Sequence, residues 1–126
     1  MAHTNSCSLL ELKINDMRLT PDQIQVIKTT IQATAALQEP PLHVCAIRLY
    51  GSRVDDSRRG GDIDLALELS EPVLRPAYLR AQLASQIERQ LEKQVGGSPK
   101  VDLLLQAPNL AMLPIHEVAQ REGVLL

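Results

Sequence analysis

The sequence predicts a single layered domain of the α/β or α+β class. Three observations carry this: 126 residues of globular composition, 44% of them hydrophobic; three short aliphatic runs of strand character; and three stretches of helical periodicity between and around them. The order is helix, strand, strand, helix, strand, helix, which packs as layers about one core. A chain of this length has little room for a second core.

Residues 1–18 show no clear period and carry His3, Thr4, Asn5 and Ser6; they are read as a loosely ordered extension, with the domain proper over 19–126. "TPDQ" at 20–23 opens the first helix. Thr20 can cap, Pro21 suits the first helical position and Gln23 can complete a capping box. Ile24, Ile27, Ile31 and Ala35 then share one face, and Pro40 and Pro41 end it. "HVCAIRLY" (43–50) reads as a largely buried strand, broken by Gly51 and Ser52, and "DIDLALEL" (62–69) as the next. Pro72 and Pro76 mark a turn. Leu79, Leu83, Ile87, Leu91 and Val95 recur at intervals of four, the stripe of an amphipathic helix. The stripe is core packing first and a partner surface second. "GGSP" (96–99) stops this helix and "KVDLLLQ" (100–106) is the third strand. Pro114 opens a last short helix with Val118 and Ala119 inward, Gly123 closes it, and "VLL" can add a terminal strand.

Bulk numbers exclude some functions. A net charge of −2 and a pI near 5.9 do not supply the clustered Lys and Arg of a general nucleic-acid surface. With two Tyr, no Trp and no Phe, aromatic stacking platforms for single strands are poorly supported. Cys7 and Cys45 have no metal-like spacing. Cys45 is expected to pack as a small hydrophobe, and the lack of a disulfide framework fits a reducing cytoplasm. No apolar stretch approaches the ~20 residues that span a bilayer, and no secretory signal is visible.

The chemistry concentrates in the acids that interrupt the strands. Side chains alternate along a strand, so Asp62 and Asp64 face the same way, with Cα atoms about 6.5–7 Å apart. Asp is disfavoured in strands, and like charges on one face repel. Asp102 interrupts the third strand. If those two strands pair, the three carboxylates converge at one end of the sheet. Oxygen ligands without His or Cys suit Mg²⁺, and two such ions about 3.5–4 Å apart can activate an attacking oxygen and stabilise a leaving pyrophosphate. The plainer alternatives are a solvated strand end for Asp102 and pairing of Asp62 and Asp64 with Arg53, Arg58 or Arg59. Upstream, the Gly51–Ser52 turn can offer backbone N–H groups and a hydroxyl to phosphate oxygens, and Gly51 permits close backbone approach. Ser52 as a simple helix cap is compatible with that role.

Together, "GSRVDDSRRGGDIDL" resembles the signature of the polymerase-β-like nucleotidyltransferase superfamily. It is most similar to its minimal nucleotidyltransferases, over about residues 19–126, with "AIRLYGSR", the acid of "VDLLL" and the ending "IHEVAQREGVLL" included. The nine residues between Ser52 and Asp62 form a loop one shorter than that branch often has. The resemblance implies an α+β fold, a mixed sheet with helices mainly on one face. It implies that Gly51 and Ser52 hold the triphosphate, and that Asp62, Asp64 and Asp102 bind the metal, with Asp102 also the base or the group orienting the attacking hydroxyl. Arg53 resembles the Arg that often follows the Gly-Ser; it can touch a phosphate or pair with an acid. The implied reaction is Mg²⁺-dependent transfer of AMP from ATP. The implied acceptor is a tyrosine of a helical HEPN-type partner, as in toxin–antitoxin pairs. Transfer to a small molecule, and an inactive module that neutralises its partner by contact, are the alternatives. Arg58 and Arg59 read first as a solvated loop edge and second as phosphate contacts, Asp55 and Asp56 as turn residues, Tyr50 as core first and as a border of the nucleotide site second, and His43 and His116 receive no role.

Overall fold

The computed structural model describes residues 19–51, 62–97 and 99–126, except that the side chain of Asp62 is not among those described. The expected extension over 1–18 and the loop residues Ser52, Arg53, Asp55, Asp56, Arg58 and Arg59 lie outside them. The described elements are helix α1 (Pro21–Ala36), strands β1 (Val44–Tyr50) and β2 (Asp62–Leu69), helix α2 (Pro76–Gln94), strand β3 (Lys100–Gln106), helix α3 (Pro114–Glu122) and strand β4 (Val124–Leu125). The four strands form one mixed sheet in the order β3-β2-β1-β4. β1 is antiparallel to β2 and to β4, and β2 is parallel to β3. The α+β class and the mixed sheet are as expected.

The start of α1 follows from its sequence. Thr20 Oγ1 accepts from the Gln23 N–H while Gln23 Oε1 accepts from the Thr20 N–H, a reciprocal capping box. Leu19 and Ile24, at the two positions of a hydrophobic staple, are both in the core. Ile27, Ile31 and Ala35 continue that buried face. In α2 the stripe Leu79, Leu83, Ile87 and Leu91 is buried, whereas Val95 stands at the C-cap and is exposed. Two glycines with positive φ, Gly96 and Gly97, then turn the chain toward β3.

Burial alternates along each strand. Ile47 and Leu49 of β1, Ile63, Leu65, Leu67 and Leu69 of β2, and Val101, Leu103 and Leu105 of β3 are buried and share one core cluster with α1 and α2. Both long helices therefore cover this one face of the sheet, which is a water-excluding layer of aliphatic side chains. The other face carries the residues of opposite parity. α3 reaches its far end, where the Gln120 Nε2 donates to Gln106 Oε1.

Three expectations are corrected. Cys45 is exposed, not packed, because the β1–β2 register shifts between Val44 and Ala46 and leaves Cys45 out of the alternation. Tyr50 is half-buried on the non-core face, since it shares parity with Arg48 and not with Leu49. In α3 the buried side chains are His116 and Ala119, with Val118 only half-buried. His116 is a structural residue: its Nδ1 accepts from the Leu113 N–H and its Nε2 donates to the Leu105 carbonyl. That pair of bonds ties the first turn of α3 to the end of β3.

Candidate functional site

The acids sit where β2 and β3 begin and β1 ends. The parallel register pairs Asp62 with Lys100 and Asp64 with Asp102, and the antiparallel register pairs Asp64 with Tyr50. Directly paired residues on neighbouring strands are about 5 Å apart at Cα and present their side chains to the same face. Tyr50, Asp64 and Asp102 thus form a row across three strands. Asp62 precedes Asp64 by two in the same strand, and its backbone pairing is regular.

Tyr50 senses this row. Its phenol is pushed above the ordinary tyrosine value of 10.0, first by burial and then by the charges of Asp64 and Asp102. Asp64 is half-buried and Asp102 is exposed, so the repulsion between the two carboxylates is open to offset by solvent, by donors or by a cation.

Gly51 closes the row. Its φ is +79°, a conformation that residues with a Cβ adopt only at a cost. A Cβ placed there would overlap the Asp64 carboxylate. The backbone after β1 therefore runs directly against the acid: the positive φ favours glycine, and any Cβ there would oblige the Asp64 carboxylate to shift. The phosphate cradle expected beyond it falls on Ser52 and Arg53, outside the described residues.

Two further residues hold the site's frame. Glu88 of α2 accepts from the Val101 N–H at 2.9 Å, anchoring the outer edge of β3 one residue before Asp102. Arg48 pairs with Glu68 at 3.2 Å on the acid-bearing face, two residues down β1 from Tyr50. Neither was singled out from sequence. The parity of Arg48 and Tyr50 was a usable signal, whereas the Glu88 contact depends on how α2 lies over β3.

Among the described residues no group of three His, Cys, Asp or Glu is gathered to hold a metal ion; Asp64 and Asp102 supply two carboxylates. The cavity of about 330 Å³ between the end of α1 and the start of α2 contains none of the site residues. Among the described residues no helix is long and apolar enough to cross a membrane. No protein-family model matches the chain, and no curated protein or solved structure is detectably similar to it.

Proposed function

We propose that the chain is a Mg²⁺-dependent nucleotidyltransferase of the polymerase-β-like fold, moving AMP from ATP to a hydroxyl of a protein partner in the cytoplasm. The observation that carries this reading is the in-register pairing of Asp64 with Asp102 beside a glycine whose backbone abuts Asp64.

The donor set fits a hard cation. Two carboxylates are brought together on adjacent strands, on the sheet face that α1 and α2 leave open. Asp62, Asp64 and Asp102 are the residues that would hold Mg²⁺. When bound, the ion supplies charge neutralisation for the triphosphate and its departing pyrophosphate. Gly51 lets the chain approach the phosphates closely, and its neighbours Ser52 and Arg53 are the candidate phosphate contacts. Asp102 takes the proton of the attacking hydroxyl or orients it. The hydroxyl oxygen forms a bond to the α-phosphorus, the bond from that phosphorus to the bridging oxygen breaks, and pyrophosphate leaves with the electron pair. Holding the two reactants in line is where most of the rate gain originates. The acceptor we favour is a tyrosine of a helical HEPN-type protein, following the sequence resemblance.

The test incubates the protein with α-labelled ATP, Mg²⁺ and the product of the neighbouring gene. Label on that protein, abolished by Asp62→Ala or Asp64→Ala, supports the reading. Label only on small hydroxylated acceptors would replace it with small-molecule transfer. A folded complex without label would replace it with neutralisation by contact.

A further inference from the structure

We infer that Glu88 and His116 together close the outer edge of β3, so that β3 of a second copy cannot add to the sheet there. Among the described residues the sheet ends at β4 on one side and at β3 on the other. β4 is two residues long, too short to template a further strand. β3 runs for seven residues, KVDLLLQ, and an aliphatic edge of that length invites edge-to-edge pairing.

Alternation shows which groups face outward. In an edge strand the N–H and C=O of successive residues point by turns to the neighbouring strand and to the open side. The Val101 N–H donates to Glu88 Oε2 at 2.9 Å, and the Leu105 carbonyl accepts from His116 Nε2 at 2.8 Å. Both groups therefore point away from β2, and Val101, Leu103 and Leu105 are the outward set. Among the described residues, no backbone bond from outside the sheet reaches Leu103 between them.

The two held groups are each other's partners. In an antiparallel pair of β3 strands centred on Leu103, Val101 of one copy stands opposite Leu105 of the other. The Val101 N–H would then donate to that Leu105 carbonyl. Glu88 has taken the donor and His116 the acceptor. A slip of two residues in either direction sets Val101 or Leu105 opposite Leu103, and a cap again stands where a bond would form. A slip of one residue inverts the faces of the incoming strand.

The helices put the caps in place. Glu88 follows Ile87 of the buried stripe and lies four residues after Ala84, which packs against the core, so it stands at the margin of that stripe. It is half-buried, and its carboxylate is a charge that an added aliphatic strand would have to displace or bury. His116 is buried, and the Leu113 N–H donates to its Nδ1, which leaves the ring hydrogen on Nε2 for Leu105. The centred pairing would also set Leu104 of the incoming strand beside Asp102. The caps thus keep the flank of the acid row clear, whatever chemistry the acids perform.

A fluorescent peptide of residues Lys100 to Gln106, whose own Leu105 carbonyl is free, tests this by anisotropy. Glu88→Ala releases the Val101 N–H and should bind the peptide at least about 10-fold more tightly than the parent. Glu88→Gln keeps an acceptor oxygen and should bind as weakly as the parent. The peptide N-methylated at Leu103 should lose the gain, because the central donor is gone. Glu88→Met, of similar length and without an acceptor oxygen, repeats the reading should the alanine protein fail to fold. Sedimentation of the Glu88→Ala protein over roughly 5–500 µM should give a single-chain mass, since His116 of each copy still holds the carbonyl that the other's Val101 needs. A parent that binds the peptide as tightly as Glu88→Ala, a Glu88→Gln protein that matches Glu88→Ala, equal binding of the N-methylated peptide, or dimerisation of the Glu88→Ala protein would overturn the proposal.

Discussion

Gly51→Ala isolates the contact on which the geometry of the acid row depends. The alanine must adopt φ near +79°, which costs about 1 kcal/mol for a residue with a Cβ. Its Cβ also overlaps the Asp64 carboxylate, so Asp64 must leave its rotamer, at about 1 kcal/mol more. The substitution is therefore expected to cost about 2 kcal/mol and to lower the melting temperature by roughly 8 °C for a domain of this size. The two contributions separate in a double-mutant cycle. In an Asp64→Ala background the carboxylate is gone and only the ordinary contact with the residue-64 Cβ, at 3.4 Å, remains. There Gly51→Ala should cost about 1 kcal/mol, the backbone share alone. Urea denaturation of the four proteins, followed by circular dichroism, gives the coupling energy, expected near 1 kcal/mol. Strict additivity, or a Gly51→Ala protein as stable as the parent, would show that Gly51 does not press on Asp64 and would refute the placement of the turn.

Other outcomes follow from single features. In a Tyr78→Phe protein only Tyr50 remains to titrate as a phenol, and its absorbance midpoint should lie above the usual 10.0. A folded value raised above the unfolded one means that its stabilising share is complete below about pH 10 and is lost as the pH rises through the folded value. The urea midpoint of the parent should thus fall on the alkaline side, and Tyr50→Phe should flatten that fall; a midpoint at or below 10.0 contradicts the acid row. Leu83→Ala, at a fully buried position facing the sheet, should cost about 3 kcal/mol by deletion and cavity formation. Leu74→Ala, at 80% exposure, should cost nothing measurable by the same urea assay. Asn109 accepts from the Val73 N–H and donates to the Val73 carbonyl; Asn109→Ala should cost about 1–3 kcal/mol and raise amide hydrogen exchange at Val73.

Much of the fold was legible because local chemistry and burial agree. The interval of four from Leu79 to Leu91 is the buried face of α2, and the Thr20–Gln23 signal is the cap of α1. The strands were visible as aliphatic runs, but which strands pair, in what direction and at what offset depends on how helices carry the chain between them. Hence the facing of Asp64 and Asp102 entered only as a condition on β2 and β3 pairing, and their parallel register satisfies it. Cys45 was misread because a bulge is invisible to a period-two pattern. Tyr50 was misplaced because an aromatic in an apolar run suggests core, although its parity with Arg48 pointed to the opposite face. His116 offered no ligand spacing, and its two backbone partners, Leu105 and Leu113, become neighbours only when α3 folds back on β3.

The side-by-side placement of Asp64 and Asp102 has a consequence for length changes in this chain. In a sheet, adding or deleting one residue inverts every side chain downstream of it. A single insertion between Lys100 and Asp102 would turn Asp102 toward the helices and a leucine toward water. The same insertion at Gly96–Gly97, where a Cβ would meet nothing within 4 Å, is taken up by the bend and leaves both faces as they were. Natural variation in length should accordingly collect in that bend and spare the seven residues of β3.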